Sequence, residues 1–168
     1  MRKLSVNKID ATLAPILETV SDPEVPVLSV LDLGVVLSAT LDDTNHVHII
    51  ITPTYAGCPA MDVIRFEINR ALEQAGYAMV TIETVLSPAW TTDWITENGK
   101  EKLKAYGIAP PVEKTTDKSF LTGKTKSVPC PRCGSTHTEM ISLFGSTACK
   151  ALYRCEQCLE PFDYFKCH

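Results

Sequence analysis

Three observations predict an α+β fold in two parts. The β-branched run His46–Thr52 can pair with Leu37–Leu41 across the polar turn Asp42-Asp43-Thr44-Asn45, which reads as a hairpin. Directly after it, Met61, Ile64, Ile68, Leu72 and Ala75 recur at helical spacing. Six of the seven cysteines fall within the last 39 residues, four of them in two C-x-x-C pairs. The first two observations define a small α/β sandwich, in the order α-β-β-α-β plus a C-terminal helix, over residues 1–111. The third defines a small β module over residues 130–168, in which Thr138–Phe144 and Ala148–Arg154 can pair as strands across Gly145-Ser146, joined to the sandwich by a linker over 112–129.

In chain order, Ile9, Leu13, Ile16, Leu17 and Val20 mark one face of a first amphipathic helix, which Pro15 should kink or restart. Ser21-Asp22-Pro23-Glu24-Val25-Pro26-Val27 cannot be helical, because two prolines exclude the α region around them. It is either a rigid connector or a scaffold that aims Asp22 and Glu24 at a ligand. Asp32-Leu33-Gly34-Val35-Val36 leads into the hairpin. Within the hairpin, His46 and His48 share one face, with Val47, Ile49 and Ile51 on the other. With no third ligand near in sequence, the two histidines read as the polar face of a half-buried strand. The helix after Pro59 should end at Gly76, and Met79–Leu86 alternates as a third strand. Thr91-Thr92-Asp93 can cap a last helix carrying Trp94, Ile95, Leu103 and Tyr106, which Gly99 should break.

Composition narrows the functional classes. A chain of 168 residues with 45% hydrophobic and 21% charged residues is a normal globular protein. Net charge is −4, and residues 130–168 hold four Lys/Arg against four Asp/Glu, which argues against nucleic acid as a partner. Lys114, Lys118, Lys124 and Lys126 in the linker read as a solvated tether. No run approaches the about 18 apolar residues of a membrane span, and no export signal is seen, so the expected location is the cytoplasm. No nucleophile–base pair, phosphate loop or dinucleotide fingerprint is present, which makes an independent enzyme the least favoured class.

Two stretches carry chemistry. In Thr52-Pro53-Thr54-Tyr55-Ala56-Gly57-Cys58-Pro59, Pro59 suits a first helical position and places Cys58 at or beside a helix N-cap. The helix dipole there predicts a lowered thiol pKa, more thiolate, and a residue able to ligate metal. The competing reading is a buried structural cysteine. In the tail, Cys130-Pro131-Arg132-Cys133-Gly134 and Cys155-Glu156-Gln157-Cys158 form two knuckles 21 residues apart, each able to turn both sulfurs toward one ion, and Gly134 permits the left-handed turn that such a backbone needs. About forty residues cannot bury enough surface to fold alone, so a structural metal is expected. Zinc in a closed site of Cys130, Cys133, Cys155 and Cys158 is the best assignment, which makes the tail zinc-ribbon-like. A single iron, as in a rubredoxin, or an iron–sulfur cluster suits the same donors. Cys149, Cys167 and His168 are left over, as buried or terminal residues or as reserve ligands.

Asp22-Pro23-Glu24-Val25-Pro26, Asp32-Leu33-Gly34-Val35-Val36, the Thr52–Pro59 loop and Pro88-Ala89-Trp90-Thr91-Thr92-Asp93-Trp94 together resemble the MIP18 family, domain of unknown function 59, over about residues 8 to 108. The runs Phe144–Cys155 and Phe162–His168 narrow the resemblance to a family of accessory components of bacterial phenylacetyl-CoA epoxidase systems, which serve aerobic phenylacetate degradation. The resemblance implies a non-catalytic accessory protein that helps mature the metal centres, iron–sulfur or di-iron, of oxygenase or reductase partner subunits. It carries the family's cysteine onto Cys58, as a transient ligand for iron or a cluster, and its acidic motif onto Asp22 and Glu24. Assembly as a homodimer is left open. A rubredoxin-like electron carrier to an oxygenase is the alternative, and metal identity separates the two.

Overall fold

The computed structural model describes residues 8–112 and 127–166. The linker lysines Lys114, Lys118, Lys124 and Lys126, together with Cys167 and His168, lie outside the described residues. The chain divides at Trp90/Thr91 into two compact units.

The first unit is a four-stranded sheet of order β1-β2-β3-β4, built from Lys8–Ile9, Val36–Leu41, His46–Ile51 and Met79–Thr84. β2 and β3 form the expected antiparallel hairpin, with Asn45 in the left-handed region at its turn. β4 returns parallel to β3, so Val47 faces Val80 and Ile49 faces Ile82 on one side of the sheet. Val47, Ile49 and Ile51 are fully buried on that side, together with Ile64, Ile68 and Leu72 of α2 (Ala60–Gln74) and Leu17 of α1 (Ala14–Glu18). At about 2 kcal/mol for each buried Leu or Ile side chain, this layer is the main stabilising term of the unit. The opposite face carries His46, His48 and Thr81.

The N-terminal helix is shorter than the periodicity predicts. Lys8 and Ile9 pair parallel with Ser38 and Ala39, because satisfying an edge strand outweighs extending a helix over residues that Pro15 already interrupts. Pro15 sits in the first turn of α1 and starts the helix rather than kinking it.

The second unit contains a 3₁₀ turn at Thr92–Trp94, α3 (Glu97–Tyr106) and a second sheet. The predicted cap at Thr91–Asp93 and the predicted break at Gly99 are both corrected. Thr96 is the cap, its hydroxyl accepting from the Gly99 N–H at 2.9 Å, so Gly99 lies in the first turn, where its cost is small. Tyr106 is exposed instead of facing a core. The second sheet has the order β5-β8-β7-β6, from Ile108–Ala109, Pro161–Phe165, Lys150–Cys155 and Thr138–Ser142. The β6–β7 pairing matches the expected tail hairpin. β5 adds to β8 in parallel, so α3 and β5 group with the cysteine-rich module. Tyr153 stacks on Phe162 at 5.8 Å and meets Tyr164 edge-on at 5.6 Å, giving this module a small aromatic core. No described helix is long and apolar enough to cross a membrane.

Candidate metal centre and thiol site

The four tail cysteines converge. Cys130 and Cys133 flank a tight turn in which the Gly134 N–H donates to the Cys130 carbonyl at 2.9 Å, and Gly134 takes φ +75°, open to glycine without strain. Cys155 ends β7, and the matching position of the second knuckle, after Cys158, is Leu159 at φ +64°. A β-carbon in that region costs about 1–2 kcal/mol, so the second knuckle holds a strained turn that the first avoids. The four sulfurs lie within 4.8 Å of one another. Cys130 Sγ is 3.7 Å from Cys158 Sγ, and Cys133 Sγ is 3.5 Å from Cys155 Sγ. Zinc–thiolate bonds of about 2.3 Å in a tetrahedron set sulfur–sulfur edges of about 3.8 Å, so the donor set fits zinc in a closed structural site.

The proton affinities of the cluster agree. The Cys158 N–H and burial act in opposite senses on Cys155, and its donors win, lowering it to about 6. On Cys158 the Glu160 N–H is outweighed by burial and by the sulfurs of Cys155, Cys133 and Cys130, which push it up to about 12. Four thiols this close cannot all ionise unless a cation takes the place of the protons. Cys149 stands apart from the cluster: it is buried, with its sulfur 3.0 Å from the Thr147 hydroxyl.

The second candidate is Cys58. It precedes the cap of α2, and its carbonyl accepts the Met61 N–H at 3.3 Å, while Pro59 holds the cap position. Gly57 turns the loop at φ +83° with open space where a β-carbon would stand. The sulfur is half-buried. The expectation of a lowered pKa is corrected: the thiol is raised. Burial is the largest cause, and the Glu24 carboxylate adds to it, against donation from the Ala60 N–H and the Thr54 and Tyr55 hydroxyls. Helix-end reasoning counts only the donors and omits both the burial of the sulfur and the charge of Glu24. Thr54 and Tyr55 are the neighbours that sequence reasoning missed. Their place just before Ala56-Gly57-Cys58 was the only available signal.

Asp22 and Glu24 play different parts. Asp22 is 5% exposed, and its Oδ1 accepts from the Glu24 and Val25 N–H groups, both at 2.8 Å. It ties its own loop, and Glu24 is the carboxylate whose charge reaches Cys58. Replacing Glu24 with glutamine removes a negative charge beside the thiol, so the Cys58 pKa should fall. Alkylation of Cys58 by iodoacetamide at pH 8 is then expected to quicken by severalfold over the unmodified chain. An unchanged rate across the pH profile would place Glu24 out of electrostatic reach.

Comparison with known proteins assigns both halves. Residues 11–84 match the iron–sulfur cluster assembly protein family, and residues 114–166 match the PaaD zinc beta ribbon domain. Fold and site thus define an iron–sulfur cluster assembly domain followed by a zinc ribbon. The chain is 47% identical over 165 residues, 94% of its length and 97% of the other's, to a protein of Escherichia coli (strain K12) named as the D component of a "Putative 1,2-phenylacetyl-CoA epoxidase", and it belongs to the family of that component. The front half is 34% identical over 88 residues to the Fe-S protein maturation auxiliary factor YitW of Bacillus subtilis (strain 168), covering 52% of this chain and 85% of that protein. A crystal structure of a domain of unknown function DUF59 from Bacillus anthracis superposes with a TM-score of 0.52 at 28% identity, covering 55% of this chain and 88% of that one.

Proposed function

We propose that this chain is an accessory factor that matures the metal centres of a phenylacetyl-CoA epoxidase, without catalysing the epoxidation. Cys58 takes iron or a cluster in transit, Glu24 supplies a carboxylate beside it, and Asp22 holds the loop that presents Glu24. The observation that carries this reading is the pairing of a half-buried, proton-holding Cys58 with the negative charge of Glu24. A carboxylate beside a thiol opposes ionisation and makes chemical sense once a cation shares the two groups. The relatives named as an epoxidase component and as a maturation auxiliary factor support the same assignment. The partners are then the oxygenase or reductase subunits, and the location is the cytoplasm. Zinc held by Cys130, Cys133, Cys155 and Cys158 is redox-silent, so the ribbon serves as a docking module and the electron-carrier alternative gains no support.

Substitution of Cys58 by serine removes one sulfur at a half-buried rim and should cost little stability. Epoxidase produced in cells with the Cys58→Ser chain should carry as little iron, and as little activity, as epoxidase from cells lacking the chain, at normal subunit amounts. Full iron loading with Cys58→Ser would remove the maturation role from this cysteine.

A further inference from the structure

The geometry points to a second, independent metal site for a single borderline divalent transition ion, such as Zn²⁺, Ni²⁺ or Co²⁺, formed by His46, His48 and Asp42 on the hairpin of the first sheet. One ligand atom from each of the three lies within 4.8 Å of the others. His46 and His48 stand at i, i+2 on the open face of β3, their ring centroids 4.0 Å apart. Asp42 follows β2, and the tight turn swings its carboxylate back, so that Oδ2 lies 3.6 Å from His48 Nε2. This is the third ligand that sequence spacing does not reveal, because it comes from the turn and not from the strand.

The donors around the triad hold it in place. Asp42 Oδ1 accepts from Thr44 N at 2.9 Å, Thr44 Oγ1 at 2.6 Å and His46 N at 3.0 Å, which leaves Oδ2 to turn toward an ion. His46 Nε2 lies 2.9 Å from Thr81 Oγ1 on the neighbouring β4, a contact that fixes the orientation of the ring. Outer partners of this kind are what metal-ligating histidines and carboxylates use to set ring tautomer and approach. Bonds of about 2.0–2.2 Å to zinc would draw the donor atoms to about 3.0–3.6 Å apart, a change that side-chain rotation at an exposed face can make. Two imidazoles and one carboxylate suit borderline ions and leave positions open for water or for a donor from a partner. The turn hydrogen bonds to Oδ1 account for where the Asp42 carboxylate sits, and its Oδ2 is the oxygen they leave beside the two imidazoles.

The site is separate from Cys58. His46 begins β3 and the Thr52–Cys58 loop leaves its far end, so five residue steps of strand, about 16 Å, separate His46 from Ile51.

Titration of the full, zinc-loaded chain with Zn²⁺ alone, followed by calorimetry and metal analysis, tests the proposal. The chain should take up one equivalent beyond the ribbon ion. His46→Gln/His48→Gln should abolish that equivalent while leaving the ribbon ion in place. Asp42→Asn keeps an oxygen for the turn but replaces the ligating one, and Thr44→Val removes an outer-shell donor, each weakening the second ion by about tenfold or more. Cys58→Ser should leave the second ion unchanged, and Co²⁺ bound there should show no thiolate charge-transfer band. No second equivalent, a second equivalent that survives the double histidine replacement, or one that disappears with Cys58→Ser would each overturn the site.

Discussion

Cys155→Ser is expected to release the tail zinc and unfold the second sheet while the first sheet stays intact. Cys155 is fully buried at the end of β7, where one strand carries both the ion's ligand and the aromatic core residue Tyr153. Serine is a poor zinc ligand at neutral pH, and three remaining thiolates no longer close a tetrahedron. Structural zinc contributes apparent free energies of about 10–16 kcal/mol, far more than a core of Ala109, Val128, Ala151, Tyr153 and Phe162 can replace. Metal analysis together with amide spectra of the whole chain reads both outcomes in one sample. Dispersed signals from β6, β7 and β8 in a zinc-free Cys155→Ser chain would show that the module stands without its ion.

Trp90→Ala should destabilise the first unit by about 3–5 kcal/mol, in the range of a large buried aromatic replaced by alanine. Trp90 is 4% exposed, and its Nε1 donates to the Leu33 carbonyl at 3.0 Å across 57 residues of sequence. The bond fastens the end of the first unit to the turn that precedes β2. Trp90→Phe keeps most of the apolar ring but leaves the Leu33 carbonyl without its donor, at a cost of about 1–3 kcal/mol. The measurement is the urea midpoint of amide signals from β3, so that melting of the second unit does not enter. If Trp90→Phe matched the unmodified midpoint, the Leu33 contact would be incidental to stability.

Much of this architecture was legible in the residues. Hairpin, central helix, tail hairpin and four-sulfur cluster each announce themselves through local periodicity or spacing, and local physics is what sequence displays. The rest turned on pairings between distant segments. Two-residue strands such as Lys8–Ile9 and Ile108–Ala109 have no period to detect, and only their partners Ser38–Ala39 and Asp163–Tyr164 make them strands. The pKa of Cys58 failed for the same reason: the helix end is visible in Pro59, whereas burial and the approach of Glu24 come from the folded chain. Gly134 could be read as a left-handed turn, but Leu159 could not, since nothing in a leucine signals the conformation that its knuckle imposes. The motif residues also separated into kinds. Asp22 and Trp90 hold backbone in place, whereas Glu24 acts on the thiol.

The parallel contact between β5 and β8 sets an order of assembly for the second unit. Ile108 meets Asp163 across 55 residues, a loop whose closure costs about 3.6 kcal/mol plus a constant for a flexible chain. A two-residue strand returns little against that cost when it must close the loop unaided. Capture of zinc by Cys130, Cys133, Cys155 and Cys158 shortens the path, because it fixes β6, β7 and β8 as one body before β5 arrives. The hairpin and its ion are therefore expected to form first, with Ile108–Ala109 pairing after them. In reverse, that edge strand is expected to open before the zinc is lost, which faster amide exchange at Ile108 and Ala109 than in β7 of the zinc-loaded chain would show.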